Sequence, residues 1–482
     1  MQNFIFKKRS LLLLFSTLFM ISSCGEKDPL PEVVPKQKTE TETDPVNEWI
    51  KDYMDVVYLW NTRIPAETDK MLYPADYFES LLYKTEDHFS YIAEDYAQLS
   101  DLLVGVQIEA GYDFSLFRAS AANEDVLGLI NYIKPDSPAS STDLQRGDIF
   151  LTINGKQLTL SNYRQLLEEI SAPHVLGIVR NNAIQSFSLT VTRYEENPVL
   201  LDTIYEMGGK KIAYMIFNFF AVDKGDNSYA YLKKLNEIFG KYKETPVDEL
   251  ILDLRYNGGG QVTVATALAS MISNRGSSDV FSIDQYNSIV DEEFKRVYGN
   301  NYNITFFDDY LMIWDEKGRL IEQIPVNKLT GIDHLYVLTS FRTASSSELV
   351  INSLKPYMDV VLIGETTYGK NVGMWLIYEE DQEDNRWGML PVVVKTYNSA
   401  HQSDYTTGFE ADILVDEFAV MPLLPLGNTR DPLLEAALDR IGVQAANPMR
   451  SAERRFDSQA LMSSIDRTPV RNNMIKKQII PR

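Results

Sequence analysis

Cysteine is almost missing. Cys24 is the only one in the chain, so no internal disulfide can form and no cysteine-based zinc site can be built. Histidine is scarce too: His88, His174, His334 and His401 stand far apart, which argues against a histidine-rich metal centre. Positive charge is in deficit, with 46 Lys and Arg against 68 Asp and Glu and a net charge of −22. Such a surface repels phosphate backbones and anionic lipid headgroups, so nucleic acid is not an expected partner. The apolar run Leu11–Ile21, broken by Ser16 and Thr17, falls short of the roughly 20 residues a membrane-spanning helix needs. The remaining composition, 44% hydrophobic and 24% charged, is that of a chain able to bury a core. Its 482 residues correspond to about three domains, some of them small.

The lone cysteine closes an N-terminal pattern. Lys7-Lys8-Arg9, the short apolar run and Ile21-Ser22-Ser23-Cys24 suit an export signal. The small residues before Cys24 resemble a bacterial lipobox, which implies cleavage after residue 23 and lipidation of Cys24. Residues 24–45, rich in Pro, Lys, Glu and Thr, lack apolar periodicity and are expected to form a flexible tether. The protein is then an exported lipoprotein of the cell envelope, on the periplasmic face or the surface of the outer membrane.

Beyond the tether the pattern changes. Trp49, Ile50, Tyr53, Met54, Val57 and Trp60 recur at helical spacing, and Pro74-Ala75-Asp76 opens a second helix; together they predict a small helical domain over 46–98. Residues 99–195 alternate in short strands. Asn154-Gly155 between apolar runs predicts a hairpin, and residues 161–170 a short helix. From Ile212 strands and helices alternate: strand 212–216, helix 229–242, strand 249–254, helix 262–272, strand 335–338, helix 346–355 and strand 360–363. That order implies an α/β core with parallel pairing, whose sites collect at the carboxyl ends of strands. Residues 281–330 are expected to be an insertion, and 446–482 a weakly ordered or surface-packed tail.

Three segments each place functional groups just after a strand. In Asp253-Leu254-Arg255-Tyr256-Asn257-Gly258-Gly259-Gly260 a glycine run exposes backbone N–H groups, which suit a phosphate, an oxyanion or simply a turn. Thr343-Ala344-Ser345-Ser346-Ser347-Glu348 opens a helix. Serines there commonly cap free N–H groups, Ser347 being a good candidate, whereas a nucleophile would gain from the helix N-terminus. Gly364-Glu365-Thr366-Thr367-Tyr368-Gly369-Lys370 supplies a lysine that alone would be unremarkable.

In order, DLRYNGGG, TASSSE and ETTYGK resemble the loops of the tail-specific, or C-terminal processing, serine peptidases of family S41. Gly408-Phe409-Glu410-Ala411-Asp412-Ile413 resembles a further family element, with alanine for proline. The series Ser137-Pro138-Ala139, Leu144-Gln145-Arg146-Gly147-Asp148 and Ile153-Asn154-Gly155-Lys156 resembles a PDZ domain of the bacterial protease type. The resemblance implies a ClpP/crotonase-like α/β protease core over 196–445, a mostly-β PDZ domain over 99–195 and the helical domain before it. It places the nucleophile on Ser345 and the general base on Lys370, with oxyanion donors at the N–H groups of Gly259 and Ser346 and no metal or cofactor. A desolvated lysine can be neutral near pH 7 and take a serine proton. Substrates would be polypeptides whose C-termini are received by strand addition at Val104-Gly105-Val106.

Two positions depart from the family pattern. Met374 stands where a glutamine often orients the lysine, leaving Glu365 or Thr366 as candidate partners, and Ser346 stands where alanine is usual. His88 is a rival base, because tricorn-type relatives use an N-terminal histidine. Two other functions compete with the peptidase: an inactive peptide-binding protein of the same fold, and an acyl-hydrolase acting on a non-peptide ester.

Overall fold

The computed structural model describes residues 44–120, 122–180, 183–380, 382, 384–443, 460–467 and 474–476. Cys24, the signal segment and nearly all of the tether lie outside these residues. The first helix begins one residue earlier than expected. Asp44 caps the Pro45–Val57 helix by accepting from the Val46 N–H, and Pro45 fills the first turn, where its missing N–H costs nothing.

The strand–helix alternation does produce a largely parallel sheet. Its six strands run in the order 199–207, 210–217, 249–253, 334–339, 359–364 and 413–414. The first two form an antiparallel hairpin and the rest are parallel. Helices Ala230–Glu244, Val262–Ser273 and Ser346–Leu354 cover one face, and Pro432–Ile441 covers the other. Leu250, Ile251 and Leu252 are fully buried, at about 1.5–3 kcal/mol per side chain, so these strands have no polar face. Register decides where the site lies. Ile216 pairs with Asp253, Asp253 with Leu338, and Leu338 with Ile363, so the three chemistry-bearing loops leave the sheet along one edge.

A second six-stranded sheet contains 260–261, 474–475, 372–374, 392–397, 280–286 and 304–306. Half of the expected insertion is therefore integral to this sheet, and the Tyr310–Trp314 and Leu320–Pro325 hairpin forms a two-stranded sheet of its own that buries Leu311 and Ile313 in the main core. The N-terminal helices do not form their own core. Trp49, Ile50, Met54, Tyr58, Tyr77 and Phe78 share one apolar cluster with Val372, Met374, Trp375 and Val392–Val394 of this sheet. Their aromatic stripe is core packing, as its spacing suggests.

Residues 112–189 form a sheet of seven strands with the 460–463 segment, packed on the short helix Tyr163–Glu168. Asn154 and Gly155 both take positive φ at the hairpin turn, as a two-residue turn of this kind requires. Of the expected tail only 460–467 and 474–476 are described. Ala460–Ser463 and Met474–Ile475 are strands in two different sheets. Strand addition uses backbone groups, so it leaves little periodicity for a sequence to show. Among the described residues no helix is long and apolar enough to cross a membrane.

Candidate active site

The loop between the 334–339 strand and the Ser346–Leu354 helix is stitched to the glycine-rich loop beside it. Ser340 Oγ donates to Arg255 O at 2.5 Å, Thr343 Oγ1 to Leu254 O at 2.8 Å, and the Ala344 N–H to Asn257 O at 3.1 Å. Of the three successive serines, Ser346 Oγ donates to Gly260 O at 2.7 Å and Ser347 Oγ to Asn257 O at 3.1 Å. Ser345 Oγ is buried and has no acceptor for its proton among the described residues; it stands only in capping-box position towards the backbone N–H of Glu348. Two hydroxyls therefore hold the loop and one is left over. Ser345 also has φ +60° and ψ −111°, a conformation that costs a non-glycine residue about 1–3 kcal/mol and concentrates at functional sites.

Glu348 joins this loop to the lysine loop. Its Oε2 accepts from the N–H groups of Ser345 and Lys370, both at 2.8 Å. Its Oε1 accepts from Thr367 Oγ1 and the Gly369 N–H, both at 2.6 Å. Burial pushes its carboxyl up to about 7, against these hydrogen bonds, which lower it. Gly369 has φ +98°, and a Cβ there would sit 2.6 Å from Gly408 N and Thr406 O; only glycine fits before the lysine. Glu348→Ala removes both halves of the clamp. The expected loss is about 10²-fold in kcat/KM, the cost of a misplaced reacting group, and about 3 kcal/mol of stability from buried donors left unpaired. Chemical denaturation and a cleavage assay read the two effects separately.

Lys370 is fully buried. Burial pulls its ammonium down to about 7, with Asp87 and Glu348 opposing. Its Nζ lies 3.2 Å from Met374 Sδ and 4.9 Å from the Phe89 ring centre. The position expected to orient the lysine is thus occupied by a thioether, a weak acceptor, and no contact from Glu365 or Thr366 to Nζ is seen among the described residues. Because Ser345 Oγ has no partner, serine and lysine are not hydrogen-bonded in this form.

Several expected residues stand elsewhere than their roles require. The Gly259 N–H donates to Asn257 Oδ1 at 2.8 Å, so it is engaged, whereas the Ser346 N–H opens a helix whose first N–H groups lack intrahelical acceptors. Val104 and Val106 pack against Phe219 and Ala221, and the N–H groups of Val104 and Gly105 bond to Asp101 O and Leu102 O. Val104 and Gly105 thus close a helix with their N–H groups engaged, while Val106 opens the Val106–Glu109 strand that pairs with Thr192–Glu195. His88 is exposed, whereas its neighbours reach the site. Asp87 accepts from the N–H groups of Phe89 and Ser90, from Ser90 Oγ and from the Tyr58 phenol, and this turn sets Phe89 over Lys370.

Sequence reasoning missed the anchors. Arg342, in the serine loop, donates to Asp113 Oδ1 at 2.9 Å and to Ser115 Oγ, tying the loop to the 112–118 strand. Arg255 is fully buried between Asp253, Glu417 and Asp431, so the charged part of DLRYNGGG holds the loop and leaves the cleft to the glycines. The charge run in that motif was the available signal, since a buried Arg needs carboxylates.

A parallel sheet that aims an unpartnered serine and a buried lysine along one edge defines a hydrolase-like site, and comparison with known proteins agrees. Residues 211–415 match the description of peptidase family S41, and residues 45–91 match the peptidase S41 N-terminal domain. The chain belongs to peptidase family S41. It is similar to a Bacteroides fragilis protein assigned to the S41 proteases, whose crystal structure it matches with a TM-score of 0.64 at 27% identity, covering 86% of this chain and 99% of that one. The C-terminal processing peptidase of Tetradesmus obliquus chloroplasts is 24% identical over 56% of this chain and 52% of its own. The carboxyl-terminal-processing protease of a Picosynechococcus species is 23% identical over 65% of this chain and 66% of its own. The chain thus spans between half and two thirds of these two relatives.

Proposed function

We propose that this protein is a serine endopeptidase in which Ser345 attacks the scissile carbonyl and Lys370 takes its proton. The observation that carries this reading is the unpartnered Ser345 Oγ among hydroxyls that all have structural work. Its strained backbone and the buried lysine of the adjoining loop support it. In the reaction Ser345 Oγ bonds to the carbonyl carbon as its proton passes to Nζ, and the oxyanion accepts from the Ser346 N–H. Gly259 joins only after its N–H leaves Asn257. The lysinium then protonates the departing amine, and water cleaves the acyl-enzyme with Lys370 again as base.

Substrates are extended polypeptides, in keeping with the names of the processing relatives. The 112–189 sheet acts as the PDZ-like module that presents them, its receiving edge being the Tyr112–Arg118 strand rather than Val104–Val106. Export and a lipid anchor at Cys24 belong to the same reading.

The test is the pH profile of cleavage of an unfolded protein. Lys370 works only when neutral and its folded value is about 7, so kcat/KM is expected to rise through a limb near pH 7 and to fall tenfold per unit well below it. Glu348 titrates in the same window, so the wild-type limb belongs to the pair, and in Glu348→Gln the remaining limb is that of Lys370. His88→Gln is expected to stay within about twofold of wild type, its ring lying outside the site. A wild-type profile flat from pH 6 to 9 would remove Lys370 as the base.

A further inference from the structure

The C-terminal segment touches the proposed peptide track at two stations. At the first, Ala460–Ser463 adds to the edge of the Tyr112–Arg118 strand in antiparallel register, Ala460 against Phe117 and Ser463 against Ser115. Met462 packs on the cluster of Phe114, Leu116, Leu166 and Ile170. Arg467 then donates to Ser171 Oγ at 3.0 Å beyond the short helix. An extended segment lying along a sheet edge and over a helix is how such a module takes a peptide.

At the second station Met474–Ile475 lies between the Gly260–Gln261 and Val372–Met374 strands, which leave the glycine and lysine loops. Met474 pairs with Gly260 and Ile475 with Gln261 on one side, and Ile475 with Met374 on the other. The Lys476 N–H donates to Met374 O at 3.1 Å, and its buried ammonium pairs with Asp284. This slot is flanked by Gly260, whose carbonyl holds Ser346, and by Met374, whose sulfur meets Lys370 Nζ. The same edges would have to hold a substrate backbone beside Ser345. The serine–lysine pair is open in the state in which the slot is filled.

We propose that residues 460–467 and 474–476 are cis-acting occupants of the peptide track, which a substrate segment must displace before it reaches Ser345. The proposal rests on the endopeptidase reading for the meaning of the track, but occupancy can be measured without catalysis. A tethered segment competes at an effective concentration in the millimolar range, so it holds off free peptides even when its own affinity is modest.

The experiment uses the full chain carrying Ser345→Ala and a fluorescent peptide with the sequence of residues 456–482. Anisotropy is expected to show at least tenfold tighter binding when Met462→Asp and Lys476→Glu are added to dislodge both stations. Lys476→Glu alone, a milder change that sets a carboxylate against Asp284, should give part of that gain. On the Ser345 background the same substitutions should raise kcat/KM on an unfolded protein at least tenfold. Unchanged peptide affinity in both variants, with the fold intact by circular dichroism, overturns the proposal whether or not the enzyme cleaves. Tighter binding without any cleavage in any variant would sustain the occupancy and overturn the endopeptidase reading instead.

Discussion

Ser345→Ala should lower kcat/KM on an unfolded polypeptide by at least about 10⁴-fold, the scale of losing the nucleophile from a serine protease. The fold should survive, because Ser345 Oγ contributes at most one side of a helix capping box, and the loop is carried by Ser340, Thr343, Ser346 and Ser347. The clamp from Glu348 reaches the backbone N–H of residue 345, which alanine keeps. Ser346→Ala and Ser347→Ala should behave the opposite way. Each unties a hydroxyl from a buried carbonyl, at about 1–3 kcal/mol, while the nucleophile remains, so stability falls and activity persists in the folded fraction. Fluorophosphonate labelling followed by mass spectrometry separates the three: label on residue 346 or 347 of the wild type would reassign the nucleophile.

Lys370→Met should remove activity and add stability. The folded value of Lys370, about 7, lies below its ordinary 10.5. Between these values the unfolded chain holds a proton that the folded chain does not, and below 7 the folded chain holds it at a cost. The penalty is therefore full below about pH 7 and fades as pH rises towards 10.5. A drop of this size corresponds to at most about 5 kcal/mol, and methionine, similar in length and apolar, should recover about 2–4 kcal/mol at pH 6 and little at pH 10. Denaturant titrations at the two pH values measure the difference. Equal gains at both would mean that the lysine is not neutralised by burial.

Much of this was legible in the sequence because each local signal was strong. The apolar runs 249–254 and 335–338 and the Asn154-Gly155 pair appear where periodicity and turn chemistry put them. The three loops that follow strands converge because parallel register leaves them no other edge. Four things were not legible. Periodicity shows that Trp49 and Tyr77 are buried but not against what, so a wall of the second sheet looked like a separate domain. His88 drew attention as a titratable residue, although the turn built by Asp87 sends Phe89 to the lysine. The tail has too few side chains in its strands to register a pattern, and Val104–Val106 read as a groove because the helix it caps could not be seen from sequence.

The buried guanidinium of Arg255 bears on when the site can form. Its carboxylate partners Glu417 and Asp431 come from 162 and 176 residues further along the chain, so the loop-closure entropy of most of the protein is spent before they arrive. Until then the guanidinium has only the neighbouring Asp253 as a partner, and the glycine loop that scaffolds Ser345 lacks its two remote anchors. Ordering of the nucleophile is thereby coupled to docking of the Pro432–Ile441 helix, whose cap is Asp431. A partly synthesised chain should carry every residue of the reaction and still be inert, a safeguard that makes proteolytic competence one of the last properties acquired during folding.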